Sequence, residues 1–223
     1  MKKIFTAILF IFLATSIVAG DIPGIRNINT PQEDSTGDFF LPDGYFNINY
    51  AMGLGLGSLK DFTSYPSYRG FSIDGRKFIS PNFTVGGYLG WIGFYDKRAR
   101  KTYAIENGTI TGVAATTYYN FTFGVNAHYY PLPSAKIRPY VGLNVGPAYQ
   151  SLQVQLGLYV LEDKNWQFMA APELGVFIPF GSQSNVGLNT GVRYNWITYK
   201  NTDYNFSNGV SYLQFFIGIS LEY

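Results

Sequence analysis

From Tyr45 onward the chain alternates. Phe46, Ile48, Tyr50, Met52, Leu54 and Leu56 fall on one parity, and Tyr45, Asn47, Asn49, Ala51, Gly53 and Gly55 on the other. Successive side chains of a strand point to opposite faces, so the pattern predicts a β-strand with one apolar face and one small or polar face. The texture recurs. Phe83, Val85, Leu89 and Trp91 oppose Thr84, Gly86, Tyr88 and Gly90; Tyr119, Phe121, Phe123, Val125 and Ala127 oppose Asn120, Thr122, Gly124, Asn126 and His128. Val141, Leu143 and Val145 oppose Gly142, Asn144 and Gly146; Trp166, Phe168, Leu174, Val176 and Ile178 oppose Gln167, Glu173 and Gly175. Val186, Leu188, Val192, Tyr194 and Trp196 oppose Gly187, Asn189, Arg193 and Asn195; Leu213, Phe215, Ile217, Ile219 and Leu221 oppose Gln214, Gly218 and Ser220. A weaker strand lies around residues 68–79. The sum is eight strands, an even number that closes antiparallel without an edge.

The connections alternate in length. Those at 80–82, 131–137 and 181–185 are short, whereas those at 58–67, 96–116, 157–164 and 200–208 are mostly longer. Short turns on one rim and long loops on the other are the arrangement of outer-membrane barrels, with the short turns in the periplasm.

The N-terminus supplies the compartment. Lys2 and Lys3 precede an apolar run from Ile4 to Ala14, and Val18-Ala19-Gly20 offers small residues before Asp21. Residues 1–20 therefore read as a signal peptide. Residues 21–43, with Pro23, Gly24, Pro31, Gly37 and Pro42 among polar neighbours, read as a flexible mature N-terminus. Residues 44–223 form the barrel domain. No later segment is long and apolar enough to span as a helix, so a membrane crossing here requires a closed barrel.

Composition separates a membrane barrel from a soluble one. Only 13% of residues are charged, 18% are aromatic and 25 are Gly, whereas soluble domains carry about 25% charged residues. A soluble barrel would crowd the aromatic bulk into a narrow lumen and leave Gly-rich, charge-poor faces in water. The reverse arrangement puts Trp, Phe, Leu, Ile and Val into lipid and keeps Gly, Asn, Gln, Ser and Thr inside. The chain has no cysteine, which excludes disulfides and thiolate metal sites. Its net charge of +2 gives no reason to expect nucleic acid as a partner.

The chain ends Gly218-Ile219-Ser220-Leu221-Glu222-Tyr223, an alternating run closed by an aromatic residue. With Ser80-Pro81-Asn82-Phe83-Thr84-Val85-Gly86 and Pro139-Tyr140-Val141-Gly142, it resembles the small outer-membrane β-barrel family of the OmpA-transmembrane and OmpX type, over residues 44–223. That resemblance implies an all-β, eight-stranded antiparallel transmembrane barrel. It also implies that Gly218, Leu221 and Tyr223 form the signal read by the barrel-assembly machinery. Phe216 departs from the family pattern, which has a polar residue there.

Candidate chemistry is sparse. The hairpin joining the sixth and seventh strands turns at 181–185. If Phe180 pairs with Val186, seven residues counted in each direction reach Glu173 and Arg193, which face each other on the inward parity. Asp74, Arg76 and the sole histidine, His128, share that parity and are candidates for a common lumen network. Lys97, Arg98, Arg100 and Lys101 form the strongest charge run, placed where the third strand leaves the outer leaflet, and suit contact with lipopolysaccharide phosphates. Enzymes exist on barrels of this type, but His128 has Tyr130 rather than a serine two positions on, and scattered carboxylates with one histidine make no metal cluster. Gly53-Leu54-Gly55-Leu56-Gly57 leads into no helix and is no phosphate loop. The expectation is a monomeric, non-enzymatic barrel without cofactor, in a structural or surface-interaction role. A narrow channel is the alternative, and a lipid-modifying enzyme is a third reading.

Overall fold

The structure, a computed structural model, describes residues 42–105, 108–181, 184–201, 206 and 209–223. The expected signal peptide, and all but the last two residues of the segment 21–43, lie outside the described residues.

Among the described residues there are ten strands and one short helix. In chain order they are β1 (Gly44–Leu56), α1 (Ser58–Phe62), β2 (Gly70–Ser80), β3 (Phe83–Lys97), β4 (Lys101–Ile105), β5 (Gly108–Gly112), β6 (Ala114–Tyr129), β7 (Arg138–Leu156), β8 (Tyr159–Pro179), β9 (Val186–Ile197) and β10 (Val210–Glu222). Eight of the strands close a barrel in the order β1-β10-β9-β8-β7-β6-β3-β2, while β4 and β5 pair only with each other. Every pairing is antiparallel. The seam between β1 and β10 is stitched at Tyr223, whose backbone exchanges hydrogen bonds with Gly44 at 3.0 and 3.2 Å.

The barrel has its apolar face outside. Adjacent residues make the point: Ile48 is 53% exposed and Asn49 1%, Val125 60% and Asn126 3%, Leu174 58% and Glu173 2%. Apolar surface is driven away from water, so an exterior of this kind needs lipid around it. Aromatic rings gather on that exterior, with Phe71, Trp91 and Tyr119 in a row at centroid spacings of 6.1 Å. Such rings are typical of a membrane interface.

One end of the barrel, the near end, holds the short turns after β2, β6 and β8 together with Gly44 and Tyr223. The far end holds the other four connections. The β1–β2 connection contains α1, and the β3–β6 connection contains the β4–β5 hairpin. One expected loop is absent. Where sequence pattern suggests a connection at 157–164, β7 and β8 pair without break up to Leu156 and Tyr159, leaving only Gly157 and Leu158 as a turn.

Two prolines and a glycine pair interrupt the regular pairing of the wall. Regular pairing of β6 with β7 stops at Thr122↔Ala148 and resumes at Val125↔Val145, because Pro147 has no N–H to give. Pro172 sits in a similar gap between β8 and β9. At the first gap the backbones close up: a Cβ on Gly124 would run into the Val145 carbonyl, and one on Gly146 into the Phe123 carbonyl. Gly124→Ala is expected to lose most of the folded, heat-modifiable species on an unheated gel. Gly87→Ala, whose added Cβ would have its nearest neighbour at 3.9 Å, should leave that band unchanged.

Candidate functional site

The lumen holds a charged cluster halfway along its length, between two aromatic and apolar plugs. β8 and β9 place Glu173 directly opposite Arg193. Arg193 Nε donates to Glu173 Oε2 at 2.7 Å. Arg193 Nη2 also makes ion-pair contact with that oxygen, but it is aligned too poorly to count as a hydrogen bond. Glu173 has further partners from around the ring: Asn144 Nδ2 donates to Oε2 at 2.9 Å, Arg76 Nη2 donates to Oε1 at 3.2 Å, and His128 Nε2 lies 3.2 Å from Oε1. Arg76 Nε donates to Asp74 Oδ2 at 2.6 Å, and Asn47 Nδ2 donates to the same oxygen at 2.8 Å. All five residues proposed for the lumen from sequence thus stand in one cluster.

Charge and packing both balance there. Two guanidiniums face two carboxylates, and the side chains of all four groups are shielded from solvent. Tyrosines accept from the Nη1 groups: Arg193 Nη1 donates to Tyr88 OH at 2.8 Å and Arg76 Nη1 to Tyr130 OH at 3.0 Å. The guanidinium carbons also lie over rings, Arg193 4.4 Å from the Tyr88 centroid and Arg76 4.6 Å from that of Tyr140, in reach of cation–π attraction. Buried charges persist when paired and hydrogen-bonded in this way. Asp74 Oδ1 and His128 Nδ1 have no hydrogen-bond partner among the described residues.

Above the cluster, aromatic and apolar side chains fill most of the lumen, with the buried amides Asn120, Gln150, Asn195 and Gln214 among them. Tyr88, Phe94, Tyr118, Leu152, Met169 and Tyr212 pack together, and α1 caps them by inserting Leu59 and Phe62 into the mouth beside Phe206. Below it, Tyr45, Tyr130, Tyr140 and Phe177 form a second plug, against which Phe78 packs. Phe216, which the family pattern makes polar, is buried with its ring 5.1 Å from the Arg193 guanidinium. An eight-stranded ring has an interior just wide enough for side chains to fill, and here they do.

Sequence reasoning missed two features of this interior. Arg138 is fully buried and donates through Nη1 to Tyr45 OH and to Glu222 Oε1, both at 2.7 Å. Its inward parity with Tyr140 was the available signal. The α1 cap was missed too, though Leu59 and Phe62 are spaced as a helix would bring them to one side.

The basic run at the far end is divided. Arg98 Nη2 donates to the Asp61 carbonyl at 2.8 Å, which ties it to α1. Lys97, Arg98 and Lys101 line an open cavity of about 370 Å³ together with Tyr65 and Asp96. Arg100 is exposed beside it. Gly218 lies opposite Asn49, where a Cβ would strike the β1 backbone. Leu221 and Tyr223 are exposed on the outer wall, and Tyr223 OH donates to the Arg76 carbonyl at 3.2 Å. Among the described residues no group of three or more His, Cys, Asp or Glu side chains could hold a metal ion.

The closed antiparallel ring of eight strands, apolar on its outer wall, has the architecture of a membrane-spanning β-barrel. No known protein family and no curated protein matches the sequence. Solved structures resemble it in fold alone. The Neisserial surface protein A, NspA, superposes with a TM-score of 0.48 at 17% identity, covering 84% of this chain and 98% of that one. Ail, the attachment invasion locus protein of Yersinia pestis, gives 0.47 at 8% identity, covering 81% and 96%. The outer membrane protease OmpT from Escherichia coli gives 0.42 at 8% identity, covering 69% and 63%.

Proposed function

We propose that this protein is a sealed barrel of the Gram-negative outer membrane, exported by residues 1–20, with a structural and surface-interaction role and no catalytic or transport activity. In this reading the near end faces the periplasm and the far end the cell exterior. Gly218, Leu221 and Tyr223 are the signal that the assembly machinery reads. Lys97, Arg100 and Lys101, with Arg98 held against α1, meet lipopolysaccharide phosphates at the outer rim. The observation that carries the sealed barrel is the lumen itself: apolar plug, balanced ion cluster and aromatic plug follow one another along its length. Protein refolded into a planar bilayer is expected to show no steady ion conductance at neutral pH. Stable single-channel steps would replace this reading with that of a narrow channel.

A further inference from the structure

Beyond the closed ring, β7 and β8 run on at the far end as a hairpin, turned by Gly157 at φ +62° and Leu158. β6 accompanies β7 as far as Ala114, opposite Leu156, so that side of the hairpin is covered. The other side is not. Thr198 N–H donates to the Phe168 carbonyl at 2.9 Å, after which Tyr199 N–H donates back to the Ile197 carbonyl at 2.8 Å. A three-residue turn of that kind bends the chain away from the sheet. Tyr199 and Phe206 then bury themselves in the mouth, 5.4 Å apart, with Phe206 against Phe62. Residues 159–167 of β8 are left as an edge, about 30 Å long at roughly 3.3 Å per residue.

Among the described residues the edge is chemically open. In an antiparallel strand every second residue directs its N–H and C=O to the same side. Phe168 bonds toward Thr198, so Trp166, Lys164, Glu162 and Val160 direct theirs that way too. None of these four has a backbone partner on that side among the described residues. The hairpin tip is also apolar and bare, with Leu158 fully exposed and Tyr159, Val160 and Leu161 more than half exposed. Open edges of this kind accept a further strand.

We propose that this edge pairs with the same edge of a second copy of the chain, antiparallel and centred on Asp163, joining two complete barrels head to head. The sequence around the edge is self-complementary in that register. Glu162 and Lys164 stand on one face and already form an ion pair along the strand at 2.7 Å. Centring on Asp163 sets Glu162 opposite Lys164 of the second copy and Lys164 opposite its Glu162. Each charge then has an opposite neighbour both along and across the strands. A shift of two residues would set Glu162 opposite Glu162, or Lys164 opposite Lys164, and like charges directly opposite destabilise a pair. The same register puts Val160 opposite Trp166 of the second copy and covers the bare tip. The register also sets Asp163 opposite its mate, one like-charge contact against two opposite-charge ones, and each Asp163 carboxylate is engaged on the inner face by Tyr199 OH and by Asn201 Nδ2. Two barrels in one membrane share a direction and would bring their β8 edges together parallel. Antiparallel pairing instead joins barrels whose far ends face each other, which under the orientation proposed above means two apposed cell surfaces.

The test uses full-length mature protein refolded in detergent micelles, where it does not depend on conductance. The chain lacks cysteine, so single cysteines report single contacts. Asp163→Cys is expected to form a disulfide-linked dimer under mild oxidation, whereas Gln155→Cys, exposed on the covered strand of the same hairpin, stays monomeric. In sedimentation equilibrium, Lys164→Glu and Glu162→Lys should each weaken dimerisation about tenfold, since each puts like charges opposite in two places. The double exchange E162K/K164E restores complementarity and should restore the dimer. Equal loss in the double exchange, or no preference for cross-linking at 163 over 155, overturns self-pairing. A protein that stays monomeric at every concentration does so too, and would leave the edge to a segment of another protein.

Discussion

Glu173→Gln is expected to lower the unfolding free energy of the barrel by about 3–5 kcal/mol, the usual cost of leaving a buried charge without its partner. Glu173 holds two guanidiniums at once, Arg193 at 2.7 Å and Arg76 at 3.2 Å, and the rest of the cluster hangs on it. An amide of the same shape keeps the packing but removes the charge. Arg193 then faces only Tyr88 and the neighbouring rings, while Arg76 retains Asp74. Arg193→Gln should cost less, because Glu173 still has Arg76, Asn144 and His128. The double variant leaves neither of the opposed charges exposed to the other's absence, so its loss should fall below the sum of the two. Urea unfolding of protein folded into lipid vesicles measures all three. Additive losses would show that the two residues do not act as a pair.

Why this pair could be reached from sequence, while other parts of the interior could not, follows from how far each contact runs. Glu173 and Arg193 sit on neighbouring strands joined by a short turn, so parity and a count of residues from Phe180 and Val186 suffice. Arg76 reaches Glu173 from across the lumen, and Arg138 reaches Glu222 across the ring. Parity assigns those residues to the interior but says nothing of which face they meet once the ring closes. The β7–β8 hairpin was hidden for a different reason. Alternation is legible only where one face meets an apolar surround and the other does not. Beyond Trp166 both faces of β8 leave the wall, Glu162 and Lys164 replace the apolar parity, and a regular strand loses its signature. The α1 cap is hidden by size, since five residues give a single pair, Leu59 and Phe62, in place of a repeating stripe.

The charge that Arg193 carries safely should be ruinous one residue earlier. Val192→Arg is expected to cost about 2–4 kcal/mol in lipid vesicles, the penalty for arginine on the lipid face near the midplane. Val192 lies in the middle of β9, between Leu174 on β8 and Phe215 on β10, and both of those neighbours point outward. No carboxylate shares that row, so a guanidinium there must reach along the wall toward an interface or draw water into the hydrocarbon. Arg193, turned inward by the pleat, meets Glu173 instead. The contrast also tests the surround. On a barrel whose outer wall faced water, replacing a partly exposed valine by arginine would change stability by no more than about 0.5 kcal/mol. Unfolding measured side by side for Val192→Arg and Val192→Leu separates charge from bulk. If the arginine variant proves as stable as the leucine variant in vesicles, this wall does not face lipid.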